Sequence, residues 1–100
     1  MKLRILLEAE EEARASAIWY QKQFVGLGDA FLDDLESALR RIEDDPSQFP
    51  KLETAKSDRI KRCRFLRFPF YIVFEIIDSE IVVLAVAHSR RRPNYWRHRK

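Results

Sequence analysis

The segment Ile81-Val82-Val83-Leu84-Ala85-Val86-Ala87, passing directly into His88-Ser89-Arg90-Arg91-Arg92-Pro93-Asn94-Tyr95-Trp96, decides how this chain folds. A strand with one wet face would alternate apolar and polar side chains. Seven β-prone apolar residues without interruption predict instead a strand covered on both faces, near the middle of a sheet. Its far end delivers a histidine, three arginines and a tyrosine within a short space, so groups able to bind or cleave a phosphodiester stand where a rigid element stops.

Working back from this strand, Asp78-Ser79 has the composition of a tight hairpin turn. Before it, Phe70, Ile72, Phe74 and Ile76 alternate with Tyr71, Val73 and Glu75, as in a strand with an apolar face. Arg67-Phe68-Pro69 reads as a turn or kinked edge. Ile60 to Leu66 reads as a cationic strand with Arg62 and Arg64 on one face and Lys61, Cys63 and Phe65 on the other. These three strands form an antiparallel meander, preceded by a loop from Pro46 to Asp58.

The first half changes period. Lys2 to Leu7 is a short strand by alternation, and from Glu8 to about Phe24 the apolar residues Ala9, Ala13, Ala17, Tyr20 and Phe24 recur at helical spacing. Glu8, Glu10, Glu11 and Glu12 fall in its first turns, where carboxylates suit the positive end of the helix dipole. Gly26-Leu27-Gly28-Asp29 breaks this helix, with Gly28 or Asp29 expected to cap the next. A second helix carries an apolar stripe of Phe31, Leu32, Leu35, Ala38, Leu39 and Ile42 and stops at Asp45-Pro46. So short a break makes an antiparallel helical hairpin that must be covered on its apolar side. The expectation is an α+β domain over residues 1–100, ordered β-α-α-β-β-β. Ile72, Phe74, Val83 and Ala85 of the sheet should face Phe31, Leu35 and Ile42 of the hairpin.

An apolar share of 46% with two Gly and four Pro in 100 residues is that of a compact protein. The net charge of +3 hides an asymmetry: residues 1–58 carry 8 Lys/Arg against 13 Asp/Glu, whereas residues 59–100 carry 11 against 3, net +8. That exceeds what solubility requires and points to a polyanion or an acidic partner. The lone Cys63 excludes an intramolecular disulfide and fits a buried thiol in a reducing cytoplasm. No apolar run approaches the roughly 18 residues that span a bilayer. Met1 to Leu7 meets glutamates too soon for a signal peptide. A Gly-rich phosphate loop, Cys/His sets at metal-ligand spacing and a Gly-x-Ser-x-Gly elbow are absent, so no metal and no cofactor is implied.

Several pieces together resemble a known family. The helix with Trp19-Tyr20, the Gly26-Leu27-Gly28-Asp29-Ala30-Phe31-Leu32 helix start, the Arg67 to Phe74 segment, and Val83-Leu84-Ala85-Val86-Ala87-His88 followed by Arg-Arg-Arg-Pro and Trp96 occur in the order seen in the RelE/ParE superfamily of type II toxin-antitoxin toxins. The glycine-rich helix start and long hairpin look more like the ParE branch, often labelled plasmid stabilisation proteins. The resemblance implies a helical hairpin packed on a small, mainly antiparallel sheet. It also implies a cognate antitoxin that folds onto the toxin into a hetero-oligomer and, for ParE-type members, poisoning of DNA gyrase without nuclease chemistry. For RelE-type members it implies cleavage of mRNA on the ribosome.

A metal-independent ribonuclease needs a base, cations and an acid around one phosphodiester, and His88, Arg64, Arg92 and Tyr95 are of the right types. His88 can equally be a strand-end side chain bonded to backbone. A binding protein would use Arg62, Arg64, Arg90, Arg91, Arg92 and Trp96 toward its target or toward the acidic, amphipathic segment of an antitoxin. Trp19, Trp96 and Tyr71 read more readily as packing residues than as chemistry, although Trp96 among cations can stack on a base. A plain basic nucleic-acid-binding domain is a third reading.

Overall fold

The computed structural model describes residues 1–99, so Lys100 lies outside the described residues. Strand β1 (Lys2–Ile5) leads into helices α1 (Leu7–Gln23) and α2 (Leu27–Asp44), a 3-10 turn at Pro46–Gln48, and strands β2 (Ile60–Arg64), β3 (Phe70–Ile77) and β4 (Glu80–His88). The sheet order is β1-β4-β3-β2, with β1 parallel to β4 and the other pairs antiparallel. β4 is therefore an interior strand, and Ile81 through Ala87 are all buried, as the unbroken apolar run requires. Asp78 and Ser79 both take positive φ, 48° and 64°, and close the β3–β4 hairpin. No helix among the described residues is long and apolar enough to cross a membrane.

Element boundaries differ from expectation where side chains act on backbone. β1 ends at Ile5 and the helix begins at Leu7. The second helix starts two residues early, capped by Gly26 at φ 95° rather than by Gly28 or Asp29. Gly28 is inside the helix, where a Cβ would lie 2.7 Å from the Ala17 carbonyl oxygen. The Gln21 side-chain oxygen accepts hydrogen bonds from the Gly26 and Gly28 N–H groups (3.2 and 3.0 Å). The two glycines thus let the hairpin close tightly. β2 ends at Arg64 instead of Leu66 because Asp34 claims the next amides: its carboxylate accepts from the N–H groups of Leu66 (3.1 Å), Arg67 (2.8 Å) and Phe68 (2.9 Å).

The helices cover one face of the sheet. Phe31 and Ile42 of α2 and the Ala9, Ala13, Ala17 row of α1 pack with Ile72, Phe74, Ile81, Val83 and Val86. Ala85 belongs to the opposite face, with Val73, Val82, Leu84 and Trp96. The cause is a β-bulge: Val73 pairs with Ala85 but Phe74 with Val83, which leaves Leu84 as an extra residue. One inserted residue reverses the parity of the strand beyond it. Val86 and His88 thereby turn to the helix side. Leu32, expected in the apolar stripe, is 43% exposed. Leu35 is only partly buried against the core, so Leu35→Ala should cost about 2 kcal/mol, the low end for such truncations. A thermal melt unchanged by that substitution would contradict the packing of the hairpin on the sheet.

Candidate functional site

Beyond the Ile5–Val83 pair, β1 no longer covers β4, and the exposed edge is closed by side chains. Glu12, on α1, sits beside it. Its Oε1 accepts from the Val86 N–H (3.0 Å) and from Arg99 Nη1 (2.8 Å), and its Oε2 accepts from the Tyr95 hydroxyl (2.6 Å) and Arg99 Nη2 (3.0 Å). Arg99 also donates to the Leu84 carbonyl at 3.0 Å. Arg91 lies 3.8 Å over the Tyr95 ring and 4.0 Å from Glu12 Oε2. Burial, reinforced by the bond to the Glu12 carboxylate, pushes the Tyr95 phenol well above its ordinary pKa. This cluster straps the segment after β4 to the edge of the sheet. Trp96, carried by that segment, is 3% exposed and covers the outer face with Leu52, Val73, Val82 and Leu84.

Of the concavities beside the strap, two hold residues singled out above as nuclease candidates, and a third of about 610 Å³ lies between residues 54–57 and 94–98. On the helix side, a groove of about 450 Å³ runs between α1 and the end of β4, lined by Trp19, Tyr20, Phe70, Val86, His88 and Arg91. Trp19 is 56% exposed and stands edge-on to Tyr20 at 5.1 Å, so the packing role expected of it does not hold. His88 lies against Phe70 (centroids 5.1 Å apart), and its Nδ1 accepts from the Arg90 N–H at 3.0 Å. On the outer face, a cleft of about 210 Å³ is bordered by Arg62, Arg64, Tyr71, Ser89, Arg91 and Asn94. Arg64 pairs with Tyr71 across the β2–β3 ladder.

The residues singled out from the sequence are therefore divided. Arg62 and Arg64 border the outer-face cleft together with Arg91, which also lines the helix-side groove. His88 opens on the helix-side groove, and the Tyr95 hydroxyl is engaged by Glu12. Arg90 and Arg92 are exposed in the turn after β4 and line neither concavity. Trp96, a candidate for a binding surface that reads more readily as packing, is part of the core, where it covers the second apolar face of the bulged sheet. Glu12 was legible only as a helix-dipole carboxylate, yet it is the hub of the strap. Its signal is the row Glu12, Ser16, Tyr20 at i,i+4 spacing beside the buried Ala9, Ala13, Ala17 row.

Comparison with known proteins agrees with this architecture. A family model described as "ParE toxin of type II toxin-antitoxin system, parDE" matches residues 3–93. No curated protein sequence matches the chain. Among solved structures, one titled "Chromosomal ParDE TA system from P. aeruginosa" superposes with a TM-score of 0.71 at 16% identity, over 88% of this chain and 95% of that one. At that identity the superposition speaks for the fold, while the family match spans nearly the whole sequence. The chain belongs to the ParE toxin family of type II toxin-antitoxin systems.

Proposed function

We propose that this toxin arrests growth by poisoning DNA gyrase in the cytoplasm, acting by binding rather than by chemistry, and that a cognate antitoxin neutralises it. The observation that carries this reading is the division of the candidate nuclease groups. A general base, a cation and an acid must reach one phosphodiester together, whereas His88 and Arg64 line concavities on opposite faces of the sheet. The Tyr95 hydroxyl already donates to Glu12. The hairpin surface and the basic stretch from Arg90 to Lys100, whose last residue lies outside the described residues, are the surfaces through which the toxin would engage gyrase.

The antitoxin reading draws on the helix-side groove. An amphipathic segment would seat apolar side chains on Trp19, Tyr20 and Phe70 and bring its acidic residues to Arg91 and the Arg90–Arg92 turn. The second reading, ribosome-dependent mRNA cleavage, is favoured by the convergence of Arg62, Arg64 and Arg91 alone. The two separate cleanly. Gyrase supercoiling inhibited by wild type should remain inhibited by folded His88→Ala and Tyr95→Phe variants. Loss of a catalytic acid or base lowers a rate by about 10²–10⁴-fold, so translation-dependent mRNA cleavage abolished in either variant, with gyrase untouched, would overturn the proposal.

A further inference from the structure

We propose that the outward face of α1 is a docking surface for a second copy of this chain, paired helix to helix in antiparallel order about a two-fold axis. Two patterns run along α1. Ala9, Ala13 and Ala17 turn to the core and are buried. On the opposite side Glu8, Glu11, Ala15, Ile18 and Lys22 recur at alternating spacings of three and four residues, the a and d positions of a heptad, and each of them is exposed. Ile18 keeps 51% of its surface in water, and Trp19 on the flank of the same face is exposed as well. The helix thus leaves apolar area uncovered beside charges that its own chain does not engage, because neither Glu11 nor Lys22 forms an ion pair among the described residues.

This face is complementary to itself in one orientation. Reversing a second helix about the midpoint between Ser16 and Ala17 sets Glu11 of one copy opposite Lys22 of the other and Ala15 opposite Ile18. The two-fold axis repeats each contact, giving two Glu–Lys pairs at the ends and two Ala–Ile contacts between them. Ala15 is small enough for the helix axes to approach and leaves a hollow for the facing Ile18. A parallel pair would set Glu11 on Glu11 and Lys22 on Lys22, which like-charge repulsion opposes. A partner of a single charge sign would complement one end of the face and repel the other, whereas a reversed copy complements both. A seam this short buries little area, so the dimer belongs among weak, concentration-dependent associations. The isolated chain suffices to measure it, and the result is independent of the gyrase and antitoxin readings.

Sedimentation equilibrium of the full chain, from low to high micromolar concentration at low salt, reads the monomer–dimer constant. Every altered position is exposed, and thermal melts confirm that each variant is folded. Ala15→Arg should raise the dimer Kd by about tenfold or more, since it sets a bulky charge against Ile18 at the centre of the seam. Glu11→Lys and Lys22→Glu each create two like-charge pairs across the axis and should each weaken association by about tenfold. The combined Glu11→Lys/Lys22→Glu chain reverses both pairs without losing either, and should return to within about threefold of wild type. Asp33→Lys, on the exposed side of α2, changes net charge as much as Glu11→Lys does and should leave the Kd within about twofold. A chain that stays monomeric throughout would overturn the proposal and leave this face to a different protein. So would a combined variant no better than the single ones, a dimer indifferent to Ala15→Arg, or an equal loss in Asp33→Lys.

Discussion

Asp34→Ala should lower the stability of the toxin by about 3–5 kcal/mol, since hydrogen bonds to charged groups are worth about 1.5–3 kcal/mol each and do not sum fully. Asp34 is 3% exposed on the sheet-facing side of α2, and its carboxylate is the acceptor for three successive amides, Leu66, Arg67 and Phe68. Alanine would leave all three donors without their acceptor in the turn between β2 and β3. That turn also sets Phe65, Phe68 and Phe70 around Phe31, with ring centroids 4.9 to 5.5 Å from it. Loss of the turn therefore loosens the aromatic packing of α2 on the sheet as well. For a domain of this size the melting temperature should fall by roughly 12 °C or more. Asp34→Asn keeps one acceptor oxygen but turns an NH₂ group toward N–H donors, and should recover less than half of the loss. Circular-dichroism melts of the two variants decide the matter, and an alanine variant as stable as wild type would mean that the turn holds itself.

What the sequence could and could not convey follows from the range of the interactions involved. The order of elements, the interior position of β4 and the hairpin turn at Asp78-Ser79 were legible, because periodicity and turn chemistry are properties of consecutive residues. The parity of β4 beyond Leu84 was not. A bulge depends on how two strands pair, and nothing local to the apolar run Val83-Leu84-Ala85-Val86 marks the extra residue. That single insertion moved Ala85 to the outer face and His88 to the helix side, which is why His88 and Arg64 do not share one concavity. Asp34 lies three residues after Phe31 and four before Ala38, where a charge without a partner would be costly, yet the apolar periodicity does not single it out. Its partners are backbone amides more than thirty residues away, and those no pattern in the chain reveals. Trp96 reads from its residue type as packing and from its basic neighbours as a binding residue, and the second apolar face of the sheet decides for packing.

Glu12→Ala should be comparably damaging, at about 3–5 kcal/mol, because it breaks a largely buried ion pair and leaves the other charge behind. The Glu12 and Arg99 side chains are each 16% exposed, and the same carboxylate is the acceptor for Val86 N–H and the Tyr95 hydroxyl. Arg99 would keep its hydrogen bond to the Leu84 carbonyl and its place over the Tyr95 ring, but the segment bearing Trp96 would lose its main attachment to α1. Tyr95→Phe is the milder probe, since it keeps the ring under Arg91 and removes one hydrogen bond to a charged acceptor. It also carries a pH signature. In the folded state the phenol is held above its ordinary pKa by burial and by the Glu12 carboxylate; in the unfolded chain it titrates near about 10. As pH rises past that value the unfolded state releases the proton first, the folded state binds more protons, and stability must fall. The contribution is fully present below about pH 10 and is lost as pH climbs toward the folded value. Urea unfolding at about pH 8 and about pH 11, spanning the unfolded tyrosine pKa, should show wild type losing more stability than Tyr95→Phe over the interval. Identical alkaline losses in the two proteins would show that the Tyr95 hydroxyl is not committed to Glu12 in solution.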